Sequence, residues 1–139
     1  MAAFNKFNSF ITAVAAGTHA GFLNADTDTL KVYLSNAAPS ASADTVKADL
    51  AEITNQNGYT APVDIQNAAT QTGSTITVTA TDVTITATGA VGPFQYAVIY
   101  NDTAASDPLV AWYDYGSAVT MANGETFVVD FGASLLTLG

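Results

Sequence analysis

The only histidine of the chain, His19, lies in the small-residue segment GTHAG. A Ser-His-Asp hydrolase needs such a histidine beside a nucleophilic serine, and the sequence has no G-x-S-x-G nucleophile elbow. With one histidine and no cysteine, the chain also lacks the usual ligands of zinc. We therefore predict that the protein is not an enzyme and that it holds no catalytic residue, no metal and no cofactor.

A second candidate for chemistry is the segment NADTDT, which places Asn24, Asp26 and Asp28 at alternate positions. This spacing is that of the opening of a calcium-binding EF-hand loop. The glycine required at the sixth position is Thr29, and the glutamate required at the twelfth is Ser35. We interpret the segment as a solvated loop before a strand, and a weak calcium site near Asp26 and Asp28 stays open.

A third candidate is the pair of carboxylates Asp102 and Asp107, which flank the loop NDTAASD. Paired carboxylates cleave glycosidic bonds, but aspartates at the ends of a hairpin loop also stabilise turns. We interpret both residues as turn residues. The sequence has no glycine-rich phosphate loop either.

The charge of the chain is low and one-sided. Only 11% of the residues are charged, with three lysines, no arginine and twelve acids, for a net charge of −9. Nucleic-acid binding needs clustered basic side chains that replace counterions, whereas Lys6, Lys31 and Lys47 are scattered. We predict that the protein binds neither nucleic acid nor anionic membranes, and that its uncharged surface suits contact with other proteins.

No apolar run approaches the roughly 20 residues of a membrane helix. The first 21 residues have some features of a weak signal peptide, but Asn8, Ser9 and Thr12 interrupt the apolar patch. We expect this segment to belong to the folded chain.

Residues 2–16 are predicted to form a helix, because Phe4, Phe7, Ile11 and Val14 follow one another at steps of three and four. Phe10 lies off the centre of this stripe. So short a helix needs a surface on which to pack. That surface is either its own domain or a neighbouring subunit.

The rest of the chain is predicted to be mainly β, apart from a short helix over residues 42–53 with Asp44 as its cap. Alternation is clear at 30–35 and at 74–88, where the apolar phase slips by one at residues 81–82 and indicates a turn or bulge. Further short strands are separated by Gly, Asn and Asp turns. We predict a single domain over residues 1–139, with an N-terminal helical segment at 1–20 and an antiparallel β-sandwich or jelly-roll-like barrel at 29–139.

The hairpin at 92–117, GPFQYAVIYNDTAASDPLVAWYDYGS, is dense in aromatic residues. On the first strand the alternation puts Phe94, Tyr96, Val98 and Tyr100 on one face. On the return strand it puts Val110 and Trp112 on one face, and the other face carries Leu109, Ala111, Tyr113 and Tyr115. A strand that is apolar on both faces is either covered on both sides or contacts another molecule.

If these apolar stripes contact a partner, the interface residues belong to the N-terminal segment and to the hairpin. The candidates are Phe4, Phe7, Phe10, Ile11, Tyr96, Tyr100, Trp112, Tyr113 and Tyr115.

Four blocks occur in order along the chain: LKVYLSNAAP, ADLAEITNQNGYTAPV, the hairpin above, and GETFVVDF. In this order they resemble a family of small tailed-bacteriophage virion proteins, and the hairpin is the most specific block. Pro62 departs from the family pattern, in which glycines tend to follow the GYT loop.

The resemblance implies a capsid cement or decoration protein that binds the outside of the major capsid protein lattice and resides in the virion. Lattice symmetry favours a homo-oligomer, and we expect a trimer. The alternative is a tail or head-spike module that binds receptor glycans through the row formed by Phe94, Tyr96 and Tyr100.

Overall fold

The computed structural model describes residues 2–19 and 28–139. The chain is mainly β, with 47% strand and 8% helix, and its antiparallel sheets and short N-terminal helix agree with the predicted β-sandwich. The elements in chain order are β1 (Ala3–Lys6), α1 (Asn8–Ala15), β2 (Leu30–Ser35), a 3-10 turn (Lys47–Asp49), β3 (Val63–Asp64), β4 (Ala68–Thr72), β5 (Thr75–Thr79), β6 (Val83–Thr86), β7 (Val91–Asn101), β8 (Leu109–Met121), β9 (Thr126–Val129) and β10 (Leu136–Leu138).

Three antiparallel sheets are formed by these strands. The largest has the order β1-β8-β7-β2-β3, a second has the order β10-β5-β4, and β6 pairs with β9 in the third. The main hydrophobic core packs the large sheet against residues of the two smaller ones, as in a sandwich. Its buried residues include Leu30, Val32, Leu34, Val78, Val83, Ile85, Phe94, Ile99, Val129 and Phe131.

The prediction of one helix over residues 2–16 is wrong for its first half. β1 is an edge strand that pairs with β8, with Phe4 opposite Tyr113, and only Asn8–Ala15 is helical. Within the helix Phe10 is fully buried, whereas Ile11 is 51% exposed. The i, i+3 spacing of phenylalanines fitted a helix, but the partner that makes residues 3–6 a strand is distant in sequence.

The short helix predicted over residues 42–53 is also largely absent, since only the 3-10 turn Lys47–Asp49 forms. The carboxylate that stabilises the start of this turn is that of Asp49 and not of Asp44, because it accepts hydrogen bonds from the backbone N–H groups of Thr45 and Val46 at 2.9 and 3.1 Å. These bonds favour the charged carboxylate and lower its pKa. Asp44 instead accepts a hydrogen bond from the backbone N–H of Ser40.

The predicted interruption at residues 81–82 is confirmed. β5 and β6 lie on either side of it and belong to different sheets. The Asp82 carboxylate accepts a hydrogen bond of 2.9 Å from the backbone N–H of Phe131, which ties this crossing to the C-terminal segment.

The faces predicted for β7 and β8 need correction, because the ladder between them has irregularities at three places. Phe94 lies in the main core, whereas Tyr96, Val98 and Tyr100 lie on the opposite face of the sheet. On the return strand, Leu109 and Trp112 share one face. Val110, Ala111 and Tyr113 contribute to the main core. Two of the irregularities add one residue to one strand, and the one between Phe94 and Tyr96 adds three residues to β8. An odd number of extra residues reverses the alternation beyond it.

Gly92 lies at the first of these irregularities. Its φ of +118° is in a region that other residues rarely adopt, and a Cβ there would lie 2.6 Å from the carbonyl oxygen of Val119. The close approach of the two strands therefore depends on glycine at this position.

Candidate functional site: an aromatic groove

An open groove of about 790 Å³ lies at one edge of the sandwich. It is bounded by the start of β1, the middle of β8, the end of β9 and the segment that leads to β10. We call it the aromatic groove and define it by six of its lining residues: Phe4, Tyr113, Tyr115, Val128, Asp130 and Phe131. Its size is in the range of ligand pockets.

The pleat of β8 sets the geometry of this groove. Tyr113 and Tyr115 are two residues apart and therefore point to the same face. The pairing of β1 with β8 brings the Phe4 ring to 5.3 Å from that of Tyr113, between ring centroids. The Phe131 ring lies 6.0 Å from Tyr113 on the other side. The aromatic wall is thus built from three separate stretches of the chain.

The outer end of the groove is more exposed. The Tyr115 ring packs edge-on against Phe127 at 4.9 Å, and its flank stays open to solvent. Val128, on β9, is 46% exposed and is one of two large apolar side chains with such exposure among the described residues. Val128 therefore leaves an apolar side chain in water at the rim of the groove.

Asp130 supplies the charge of the groove. One of its carboxylate oxygens accepts a hydrogen bond of 2.7 Å from the backbone N–H of Gly132, and this bond fixes its orientation. Burial raises the pKa of the Tyr113 and Tyr115 hydroxyls, and the negative charge of Asp130 raises it further. The groove therefore has a negative electrostatic potential at neutral pH.

The two tyrosine hydroxyls of the groove form no hydrogen bond to any other residue in the described part of the chain. Other tyrosines do: Tyr33 donates to the Leu50 carbonyl and Tyr100 to Asp102, both at 3.0 Å. Tyr113 and Tyr115 therefore keep their hydrogen-bonding capacity for water or for a ligand.

The opposite face of the large sheet is closed. Trp112 points to this face and is covered by Phe7, whose ring centroid lies 4.5 Å away. Tyr33 and Tyr100 pack edge-on at 5.9 Å, and the Lys47 ammonium lies 4.9 Å from the centre of the Tyr33 ring. We call this group the closed cluster; its buried members are Phe7, Tyr33, Leu50, Val98, Tyr100, Leu109 and Trp112.

Most of the residues predicted to form an interface are instead buried in the chain itself. Phe7, Phe10, Tyr100, Trp112 and Tyr113 are at most 8% exposed. A side chain so covered offers almost no surface to a partner, so the prediction does not hold for four of them. Tyr113 is the exception, since its small exposed part lines the groove.

The other four predicted interface residues keep accessible surface. Phe4 and Tyr115 lie in the aromatic groove, whereas the half-buried Tyr96 and the exposed Ile11 lie apart from it. Sequence reasoning missed Val128, Asp130 and Phe131. Their only signal was the apolar run FVV followed by an aspartate, which equally fits an ordinary strand end.

His19 is part of a buried polar cluster. The Asn101 side-chain amide lies 2.9 Å from Nδ1 of His19 and donates a hydrogen bond of 2.8 Å to the Asp28 carboxylate. Burial lowers the pKa of His19, and the charge of Asp28 opposes this in part. The cluster joins the end of the N-terminal segment to β7. Asn24 and Asp26, the other ligands of the possible calcium loop, lie outside the described residues.

Asp102 and Asp107 lie in different local environments at the two ends of the hairpin loop. Asp102 makes a 2.7 Å ion pair with Lys31, which lowers the pKa of its carboxyl group. Asp107 has a positive φ of 51° in the hairpin loop, and its carbonyl accepts a hydrogen bond from the backbone N–H of Lys47. Asp107 therefore belongs to the hairpin turn, as interpreted from the sequence, whereas the Asp102 carboxylate bonds to Lys31 on β2 and to Tyr100 on β7.

Within residues 2–19 and 28–139, no group of three or more His, Cys, Asp or Glu side chains is placed to hold a metal ion. None of the helices described there is long and apolar enough to cross a membrane. A scan of protein-family models and searches of curated proteins and of solved structures found no match to this chain.

Proposed function

We propose that the protein is a non-enzymatic structural protein of a tailed-bacteriophage virion, of the capsid decoration type, which binds the outer surface of the major capsid protein lattice. The observation that carries the proposal is the hairpin block at residues 92–117, with its resemblance to small virion proteins of such phages. This block is also the structural centre of the fold, since it forms β7 and β8, the two longest strands.

The character of the surface supports a role in assembly. A decoration protein needs a large area that loses water at little cost, and uncharged side chains lose water more cheaply than charged ones. The outward positions of β6, Thr84 and Thr86, are exposed threonines, and those of β4 are mainly polar and uncharged. The net charge of −9 also keeps such a protein away from packaged DNA.

Within this proposal the aromatic groove is the contact surface. It combines exposed Val128 with the accessible flank of Tyr115 and a single carboxylate. Protein interfaces are enriched in tyrosine and phenylalanine and depleted in charge at their centre. The closed cluster on the opposite face has its apolar area already covered by Phe7 and contributes little to binding.

The proposal is tested by mixing the purified protein with bare capsids of a tailed phage that carries this gene, followed by sedimentation and image reconstruction. We expect co-sedimentation and extra density at symmetric lattice positions. Val128→Lys should abolish co-sedimentation because it places a charge in the apolar contact. The matched control is Ile11→Lys, at the other strongly exposed apolar residue, and it should bind like the parent. Absence of parent protein from the capsids would contradict the proposal.

Self-association is a separate part of the proposal. A protein that occupies symmetric lattice sites gains from closed symmetry, and we propose a homo-oligomer, with a trimer as the expected state. Analytical ultracentrifugation of the free protein and of the protein eluted from capsids measures it. A monomer in both samples contradicts this part and leaves capsid binding standing.

A second candidate function is recognition of receptor glycans by a tail or head-spike module. The row first considered for it does not exist, because Phe94 and Tyr100 are buried on opposite faces. The groove provides a different basis, since sugar rings pack on aromatic faces and accept hydrogen bonds from tyrosine hydroxyls. Binding to a glycan array that is lost in Tyr115→Ala would favour this function over capsid binding.

A further inference from the structure

We propose that the aromatic groove receives a lysine or arginine side chain of a partner protein. The inference rests on the proposed function only for the identity of that partner, the major capsid protein. The ligand chemistry itself follows from the rings, the carboxylate and the charge distribution around the groove.

The first argument is charge complementarity. Asp130 is the charged residue of the lining, and Asp82, which anchors Phe131, adds to the negative potential at the Tyr113 hydroxyl. Lys31 and Lys47 are held by Asp102 and Glu52 on other parts of the chain. None of the described residues that line the groove is a lysine, arginine or histidine, so a cation supplied by a partner would complement the charge of Asp130.

The second argument is the arrangement of the rings. The half-buried Phe4 and Tyr115 present ring surface to the groove, and the Phe4 ring packs against that of Tyr113 with centroids 5.3 Å apart. Tyr113 and Phe131, which are 8% and 2% exposed, support this wall from behind. The face of an aromatic ring carries partial negative charge and attracts a cation within about 6 Å of its centroid. A carboxylate at the rim of such a wall strengthens this attraction. An anion would instead meet negative potential from both the rings and Asp130.

The third argument is the balance of polar and apolar surface. An ammonium or guanidinium group on an aliphatic stem has a charged end for Asp130 and a stem for Val128 and the ring faces. The two tyrosine hydroxyls have acceptor capacity for the remaining N–H donors. A purely apolar side chain would bury the charge of Asp130 with only the Gly132 N–H as its hydrogen-bond partner, which costs free energy. The volume of about 790 Å³ also leaves room for the residues on either side of the cation.

The experiment is an NMR titration of the full-length, ¹⁵N-labelled protein with three blocked peptides: acetyl-Leu-Arg-Leu-amide, the same peptide with neutral citrulline, and the same peptide with glutamate. Citrulline keeps the shape of arginine and removes its charge. We expect the arginine peptide to bind about five- to tenfold more tightly than the citrulline peptide. The backbone shifts should centre on Tyr115, Asp130 and Gly132, and the glutamate peptide should bind least.

Asp130→Asn should reduce the preference for arginine over citrulline to less than about twofold. The matched control is Asp64→Asn: Asp64 is an exposed aspartate that also accepts a hydrogen bond from the backbone N–H two residues later, but it lies on β3 away from the groove. This variant should keep the full preference of the parent.

Three results would overturn the inference. They are equal binding of the arginine and citrulline peptides, shifts that map outside the groove, and groove shifts caused by maltotriose but by none of the peptides. The last result would identify the site as one for glycans.

The capsid experiment separates this inference from the proposed function. Capsid binding by the parent without an arginine preference would leave the proposed function standing and overturn the inference. An arginine preference without capsid binding would leave the inference standing and overturn the proposed partner.

Discussion

The two faces of β8 carry similar side chains, but one face is buried and the other borders an open groove. Trp112 faces the closed cluster, where Phe7 covers it, while Tyr113 and Tyr115 face the aromatic groove, where their exposed edges reach solvent. Composition does not separate the two faces, because both are aromatic. What separates them is whether another part of the chain lies over them.

The cover over the closed cluster is held by the backbone. The Phe7 N–H donates to the Val110 carbonyl at 3.2 Å and the Asn8 N–H donates to the Ala41 carbonyl at 2.9 Å, so the junction of β1 and α1 is fixed on the sheet. Over the groove the covering strand β9 ends at Val129, and the chain turns away after Asp130. We infer that the short segment around Phe7, which is hydrogen-bonded to the sheet, determines which aromatic face of β8 is buried in the core.

The largest expected effect tests this cover directly. Phe7→Ala removes a fully buried ring from its contact with Trp112, and we expect a loss of about 3–5 kcal/mol in the free energy of unfolding. Chemical denaturation followed by tryptophan fluorescence measures it, since Trp112 is the only tryptophan. The control Ile11→Ala, at an exposed site, should change stability by less than about 0.5 kcal/mol. Equal effects would mean that Phe7 is not the cover.

From the same comparison we expect that deletion of residues 1–16 unfolds or strongly destabilises the domain. Deletion of a helix that only docks on a partner would leave the domain stable. Phe7 and Phe10 are both fully buried, and β1 completes the edge of the large sheet. Circular dichroism and thermal melting of the truncated chain measure the effect. A truncated chain with a cooperative melt at the parent temperature would contradict the core role of this segment.

The next effect in size concerns the tyrosine hydroxyls of the closed cluster and of the aromatic groove. Tyr33→Phe leaves the buried carbonyl of Leu50 without its donor, and we expect a loss of about 1–2 kcal/mol. Tyr115→Phe removes a groove hydroxyl that bonds no described residue, so its cost should be near zero. Urea denaturation of the two variants provides the comparison. A cost for Tyr115→Phe as large as that for Tyr33→Phe would show that the groove is closed in solution.

A smaller effect is the pH dependence caused by His19. Its pKa in the folded chain is lowered from the ordinary value of 6.5. The unfolded chain therefore binds the proton first as the pH falls. Above about pH 6.5, His19 should have no effect on the free energy of unfolding. Below that pH the free energy of unfolding should decrease by at most about 1.4 kcal/mol per pH unit, until the pH falls below the pKa of His19 in the folded chain. His19→Gln should reduce the dependence of the melting temperature on pH between pH 7 and 5. An unchanged dependence would contradict the assignment of this pH effect to His19.

The smallest effect is expected at the groove itself. Val128→Thr, at a site that is 46% exposed, should change the free energy of unfolding by less than about 0.5 kcal/mol. Val129→Thr, at the next residue, puts a hydroxyl into a fully buried site and should cost about 1–3 kcal/mol. Thermal denaturation measures both. Equal costs would mean that β9 is covered on both faces.

The sequence was sufficient for the fold class and for the positions of several strands, because alternation over residues 30–35 and 74–88 is a local property. It failed where a distant partner decides the conformation. Residues 3–6 have a helical spacing of phenylalanines but form a strand because β8 offers them an edge. The bulges between β7 and β8 reversed the predicted facing of Phe94 and Val110 for the same reason.

The groove was predictable only in part. The alternation of β8 correctly placed Tyr113 and Tyr115 on one face, and Phe4 was among the candidates. Asp130 and Phe131 reach the groove through the packing of β9 and of the C-terminal segment, which no local pattern encodes. The expectation that Trp112 and Phe7 contact a partner failed because each is the cover of the other.

The pairing of β1 with β8 also constrains how the chain is made. The phenylalanines at positions 4, 7 and 10 are synthesised well before β8, the strand that pairs with Phe4 and carries the tryptophan that Phe7 covers. Domains dominated by such distant pairings fold slowly and expose apolar surface meanwhile. We therefore expect the nascent chain to bind chaperones through its N-terminus, and to release them only when β8 arrives and the sheet closes.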